Sequence, residues 1–178
     1  METVGRAEQR RARFEAIARE LIDPLRRFLV RRTDPATADD VLADTLLVCW
    51  RRFDDLPADP LPWAYAVARG CLLNAERSAR RQRRVAARVA TLDPPVEAVE
   101  VPEADRGPDP GLAEAMASLR AEDAELLRLW AWEQLTVSEI ATVLDITPNA
   151  AGVRLSRARR RLVGELGKND AGAGHEKA

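Results

Sequence analysis

Apolar side chains recur at steps of three and four along most of the chain, and the breaks between runs divide it into helices. Phe14, Ile17, Ala18, Leu21, Leu25, Phe28 and Leu29 form one stripe, predicting a helix from about residue 8 to 31 that kinks or restarts at Asp23-Pro24. Asp34-Pro35 is a cap followed by proline at the first helical position. A second helix is therefore expected to reach about Phe53, turning Val41, Leu42, Leu46, Cys49, Trp50 and Phe53 inward. The segment DDLPADPLP holds three prolines and reads as a rigid, non-helical loop over residues 54–62. A third helix then starts near Leu61 and Trp63 and buries Trp63, Val67, Cys71 and Leu72.

Further on, Leu112 to Leu119 and Ala121 to Glu133 predict two short helices, the latter with Leu126, Leu127, Trp130 and Ala131 as its apolar set. The stretch LTVSEIATVLDITPNAAGVRLSRARRRL is sharper. Thr136 and Glu139 have the spacing of a capping box for a helix to about Leu144, Asp145-Ile146 makes a tight turn, and Thr147 caps a helix opened by Pro148. Asp145 suits that turn because aspartate tolerates left-handed backbone better than most residues. On the last helix Ala151, Leu155, Ala158 and Leu162 face Ile140, Ala141 and Leu144. The opposite side presents Asn149, Val153, Arg154, Arg157, Arg160 and Arg161, with Ser156 at its edge. This is the layout of a helix-turn-helix whose second helix enters the major groove. Arg154 and Arg157 are expected at guanine edges, and Arg159 to Arg161 on phosphates. No alternating segment bounded by hairpin turns occurs, so the fold is expected to be all-α.

Composition narrows the classes. The chain has 178 residues, 46% apolar and 32% charged, with no uncharged run of 18 residues, so no membrane span is expected. Residues 1–13 carry no apolar signal segment. Cys49 and Cys71 lack the spacing of metal ligands and the single histidine, His175, is near the end, so neither a metal site nor a cofactor is expected. The cysteines read as small core residues, and a reducing cytoplasm is the natural compartment. Without a phosphate-binding glycine loop or a nucleophile-base pair, an enzyme is not expected.

The net charge of -1 conceals a partition. Residues 1–90 hold 18 Arg against 13 acids (+5), residues 91–111 hold 1 against 6 (-5), and residues 112–178 hold 9 against 10 (-1). The acidic segment contains Pro94, Pro95, Pro102, Pro108 and Pro110 and reads as a linker; fully extended it reaches at most roughly 70 Å. From Gly167 the sequence reads as a frayed tail. The third helix runs into RSARRQRRVAAR, where Arg69, Arg77, Arg80, Arg81, Arg83, Arg84 and Arg88 face a single Glu76, giving +6 over residues 67–90. Unpaired guanidinium groups at this density point to phosphate, and Trp63 and Tyr65 beside the proline loop offer a platform for an unpaired base. Asp39 and Asp40 read as partners of the second helix's dipole. Asp44 is too far along for that, and with Thr45 and Leu47 it marks a protein-docking face.

The order of ATADDVLADTLLVCWRRF, PLPWAYAVARGCLLNAERSARR, a variable linker and LTVSEIATVLDITPNAAGVRLSRARRRL resembles the bacterial extracytoplasmic-function (ECF) sigma factors over about residues 10 to 166. The resemblance implies two small helical domains: a three- to four-helix region 2-like module at 8–90 and a four-helix region 4-like helix-turn-helix module at 112–166. A Pro-rich acidic linker at 91–111 joins them, and a disordered tail covers 167–178. It also implies a protein that binds core RNA polymerase, recognises promoter DNA and helps to melt it. The linker would thread through polymerase channels. Asp39, Asp40, Asp44, Thr45, Leu47 and Arg51 would dock on core polymerase, whose beta-prime clamp and beta subunits are the expected partners. Asp59, Pro60, Trp63, Arg69, Gly70, Asn74, Arg77, Arg80 and Arg81 would engage the minus-ten element, residues 54–63 forming a loop that captures a flipped base. Thr147, Asn149, Ala150, Arg154, Ser156, Arg157, Arg160 and Arg161 would contact the minus-thirty-five element. An anti-sigma protein is a further implied partner. Gly70 stands where many relatives carry asparagine, Ala66 where arginine is frequent, and Gly152-Val153 replace a common lysine-serine pair. The alternative on the residues alone is a stand-alone helix-turn-helix regulator whose first 90 residues dimerise or sense an effector.

Overall fold

A computed structural model describes residues 2–89 and 110–173, which form α-helices and one 3-10 turn and, among the described residues, no strand. The chain divides into two compact units, Met1–Pro102 and Glu103–Ala178. The acidic segment read as a linker falls almost wholly outside the described residues.

In the first unit α1 (Glu2–Val30), α2 (Pro35–Arg51) and α3 (Leu61–Val89) pack against one another, with a 3-10 turn η1 (Phe53–Asp55) after α2. The α1 stripe closes inward as its spacing requires: Leu21, Leu25, Phe28 and Leu29 are buried, each side chain contributing about 1.5–3 kcal/mol. Pro24 does not restart the helix, which continues through it. Buried side chains on both flanks, Leu21 and Leu25, hold the backbone where one hydrogen bond is missing. Asp34 caps α2 by accepting from the Thr37 N–H at 3.0 Å, and hydrogen bonds from the Thr37 side chain and N–H hold its carboxyl below the usual value of 3.8.

Two further sequence readings are corrected in this unit. The inward face of α2 carries Ala38, Val41, Thr45 and Cys49, so Thr45 is a core residue and not part of a docking face. Its hydroxyl donates to the Val41 carbonyl at 2.7 Å, which lets a polar side chain sit in an apolar interior at little cost. On α3 the buried stripe is Ala64, Tyr65, Ala68 and Leu72, whereas Trp63, Val67 and Cys71 are only half-buried. Tyr65 packs on Phe28 with ring centroids 5.0 Å apart, so it cannot serve as a platform for an incoming base.

In the second unit α7 (Pro148–Ala173) packs on α4 (Pro110–Ser118), α5 (Ala121–Ala131) and α6 (Val137–Leu144). The capping box at α6 is complete. The Thr136 N–H donates to Glu139 Oε2 at 2.6 Å and the Glu139 N–H to Thr136 Oγ1 at 3.3 Å. Asp145 ends α6 in left-handed backbone (φ 53°), the Ile146 N–H returns to the Ala141 carbonyl, and Thr147 Oγ1 accepts from the Ala150 N–H to start α7. Ile140, Ala141, Val143, Ala151, Leu155 and Ala158 fill the crossing. A second left-handed residue, Gln134 (φ 55°), turns the chain from α5 into α6. The helix does not stop at Gly167: α7 runs to Ala173, supported over that stretch by Lys168 donating to Glu165 at 2.7 Å.

Candidate nucleic-acid and protein-docking surfaces

On α2, Asp40, Asp44, Leu47 and Arg51 fall at steps of four, three and four, and all are exposed. Leu47 is 44% exposed, an apolar side chain standing among carboxylates. Asp39 lies beside this stripe and reaches Arg26 of α1 at 3.6 Å. It is therefore an inter-helix ion-pair partner, and it lies beyond the first turn, where a dipole reading would require it.

Before α3, Asp59 accepts from the Leu61 N–H at 3.3 Å and the Pro60 carbonyl from the Ala64 N–H at 2.8 Å, so both residues fix the entry to the helix. Trp63 follows, half-buried, at the mouth of the loop. Down α3, Gly70, Asn74, Arg77 and Arg81 lie on one exposed stripe with Arg69 and Arg80 at its sides. Arg77 donates to Asn74 Oδ1 at 3.4 Å and Arg80 lies 3.7 Å from Glu76, whereas Arg81 and Arg84 make no ion pair among the described residues. The Arg88 side chain lies outside them. A Cβ on Gly70 would meet nothing within 4 Å, so its absence serves no packing need inside the unit.

On α7, Asn149, Arg154, Ser156, Arg157 and Arg160 are exposed, Ala150 is half-buried, and the Thr147 oxygen is taken up by its cap. Arg154, Arg157 and Arg160 have no ion pair among the described residues. Of Arg159 to Arg161, expected on phosphates, two have partners within their own unit. Arg161 pairs with Asp123 of α5, and the Arg159 guanidinium lies 4.5 Å over the Trp130 ring. Both tie α7 to α5, which leaves Arg160 as the unengaged member of the three.

Sequence reasoning missed the arginine that joins one aromatic cluster. Arg10 donates to the Trp50 carbonyl at 3.0 Å and to Asp54 Oδ2 at 3.2 Å, with its guanidinium 4.3 Å over the Trp50 ring. Phe14 meets Trp50 and Phe53 edge-on at 5.2 and 5.8 Å. The partners are about 40 residues from Arg10 along the chain, so no local signal announces them.

The thiols are in keeping with core roles. Burial pushes Cys49 up to about 11 from the ordinary 9.0, and burial also raises Cys71, with the nearby Asp44 charge adding to the shift and a Thr45 hydrogen bond opposing it. Among the described residues no group of three or more His, Cys, Asp or Glu is placed to hold a metal, and no helix is long and apolar enough to cross a membrane.

Comparison with known proteins covers both units. The family model for sigma-70 region 2 matches residues 14–84 and that for sigma-70, region 4, matches residues 111–162. The chain is 30% identical over 171 residues to the ECF RNA polymerase sigma factor SigL of Mycobacterium tuberculosis, covering 92% of this chain and 96% of SigL. It is 28% identical over 145 residues to the probable RNA polymerase sigma factor RfaY of Xanthomonas campestris pv. campestris, covering 75% of this chain but only 35% of that protein. Among solved structures, the fold resembles the sigma factor RpoE, determined with the anti-sigma factor NepR from Bartonella quintana. Its TM-score is 0.60 at 22% identity, covering 86% of this chain and 96% of that one. It also resembles CnrH, determined with the cytosolic domain of CnrY, with TM-score 0.57 at 21% identity and coverage of 87% and 88%.

Proposed function

Because the chain belongs to the ECF RNA polymerase sigma factors, we propose that it binds core RNA polymerase, recognises minus-thirty-five and minus-ten promoter elements and promotes melting at the start site. The observation that carries this reading is the uncompensated guanidinium face of α7, Arg154, Arg157 and Arg160, on the second helix of a fully capped helix-turn-helix. Arg154 and Arg157, one turn apart, read base edges in the major groove, while Arg160 and the α7 N-terminus with Asn149 hold the backbone.

In the first unit the stripe Asp40, Asp44, Leu47 and Arg51 docks on the polymerase clamp, its carboxylates setting orientation and Leu47 giving the apolar contact. Residues 54–63 capture a base from the melted strand, with Trp63 as the stacking surface, and Gly70, Asn74, Arg77, Arg80 and Arg81 follow the strand down α3. Extruding a base costs a few kcal/mol and one stacking contact returns about 1–3 kcal/mol, so melting depends on polymerase holding the duplex as well. Bond chemistry stays with the polymerase, and the work is done in the cytoplasm. An anti-sigma protein that covers the docking and DNA faces is the natural regulator, and one fold relative was solved bound to such a factor.

Run-off transcription with sigma-free core polymerase, scored together with permanganate reactivity of promoter thymines, tests the assignment. Start sites and melting that require both proteins are expected, and Asp44→Arg should impair polymerase capture. A stand-alone regulator gives no polymerase-dependent melting, and that outcome would sink the proposal.

A further inference from the structure

We propose that Arg10 is a positioning residue for promoter melting: it sets the angle at which the base-capturing loop leaves α2. This rests on the reading of residues 54–63 given above. The loop is stiffened by Pro57, Pro60 and Pro62, so its path is decided mainly at its ends. Its far end is fixed by Asp59 and Pro60 at the start of α3. Its near end is the joint between the last turn of α2 and η1, where terminal carbonyls need partners.

One guanidinium spans that joint. Arg10 Nη2 donates to the Trp50 carbonyl on the α2 side at 3.0 Å, and Nε donates to Asp54 on the η1 side at 3.2 Å. The same planar group lies 4.3 Å from the Trp50 ring centroid and 5.5 Å from that of Phe53, while Phe14 closes on both rings from one turn further along α1. Each contact is partly exposed and individually weak. Their joint effect is geometric, because a rigid fork that satisfies both sides at once permits one angle between them. An ammonium group offers a point charge and cannot reproduce the fork.

The guanidinium sits at the edge of the core, with Phe53 beneath it buried and its own side chain 30% exposed. Leu21, the first fully buried large side chain of α1, is 11 residues further along, roughly 16 Å of helix, and the main core continues from there to Leu29. Loss of Arg10 should thus loosen the joint and leave the three-helix packing standing.

The test uses holoenzyme assembled from the full chain and sigma-free core polymerase, on a promoter carrying 2-aminopurine at the base to be flipped. Its fluorescence rises when that base unstacks. Arg10→Ala and Arg10→Lys are both expected to lower the flipped fraction roughly 3- to 10-fold. Polymerase affinity and upstream-element binding should stay within about twofold of the parent, the range that loss of a remote surface contact allows. Trp63→Ala serves as the control on the loop itself. A flipped fraction that falls in Trp63→Ala but is unchanged in both Arg10 variants overturns this inference alone, and one unchanged in Trp63→Ala overturns the base-capture reading beneath it. Equal losses of flipping and polymerase binding in the Arg10 variants would likewise overturn it, since they mark a general folding role. Arg10→Lys keeps the test open should Arg10→Ala fail to fold.

Discussion

The two units use arginine in different ways. In the first, structural duty falls on arginines that sequence pattern had no reason to notice, such as Arg10 at the α2–η1 joint, while α3 carries a long exposed cationic stripe. In the second, all five arginines on one short stretch of α7 are exposed and differ in their partners: Arg154, Arg157 and Arg160 stand free of ion pairs, and Arg159 and Arg161 engage α5. A count of cationic residues therefore overstates what a surface offers to nucleic acid. What matters is which guanidinium already has a partner in its own domain.

The largest expected effect probes the aromatic packing that sets the first unit apart. Phe28→Ala removes a fully buried ring, the Tyr65 contact and the surface beneath Arg32, and should lower stability by about 3–5 kcal/mol in denaturant titration. Next comes the division within α7. Arg157→Ala should weaken upstream-element recognition by about 1–3 kcal/mol without changing stability. Arg161→Ala should do the reverse, costing at most about 1 kcal/mol of folding stability through a half-exposed ion pair. Equal effects of the two on DNA binding would erase the distinction drawn here. Thr136→Ala should cost about 0.5–2 kcal/mol, read as a lower melting temperature, because the second unit relies on local caps. Smallest is Gly70→Ala, which fills open space in α3 and should stabilise the fold by about 0.5–1 kcal/mol while reducing promoter melting. A variant both stabler and fully active would remove Gly70 from the DNA face.

The same contrast explains what could be read beforehand. The α6–α7 boundaries were legible because Thr136 with Glu139, and Thr147 with Pro148, act within three residues of each other. The α3 stripe departs from the one its large residues Trp63, Val67 and Cys71 suggest, because small Ala64 and Ala68 allow close approach and Phe28 of α1 takes up Tyr65. Thr45, beside Asp44 in sequence, faces inward. A threonine within a helix can satisfy its hydroxyl on the carbonyl four residues back, so polarity does not decide its face. Arg10 was invisible for a different reason: its value depends on two residues brought beside it only by the fold.

Burial of the thiols has a practical corollary. With Cys49 buried and pushed up to about 11, almost none of that sulfur is thiolate near neutrality, and maleimide dyes react through the thiolate. An added cysteine at an exposed position such as Arg19 would take a fluorophore in preference to Cys49, so Cys49 can be kept when the protein's arrival on polymerase is followed in real time and only half-buried Cys71 needs replacing.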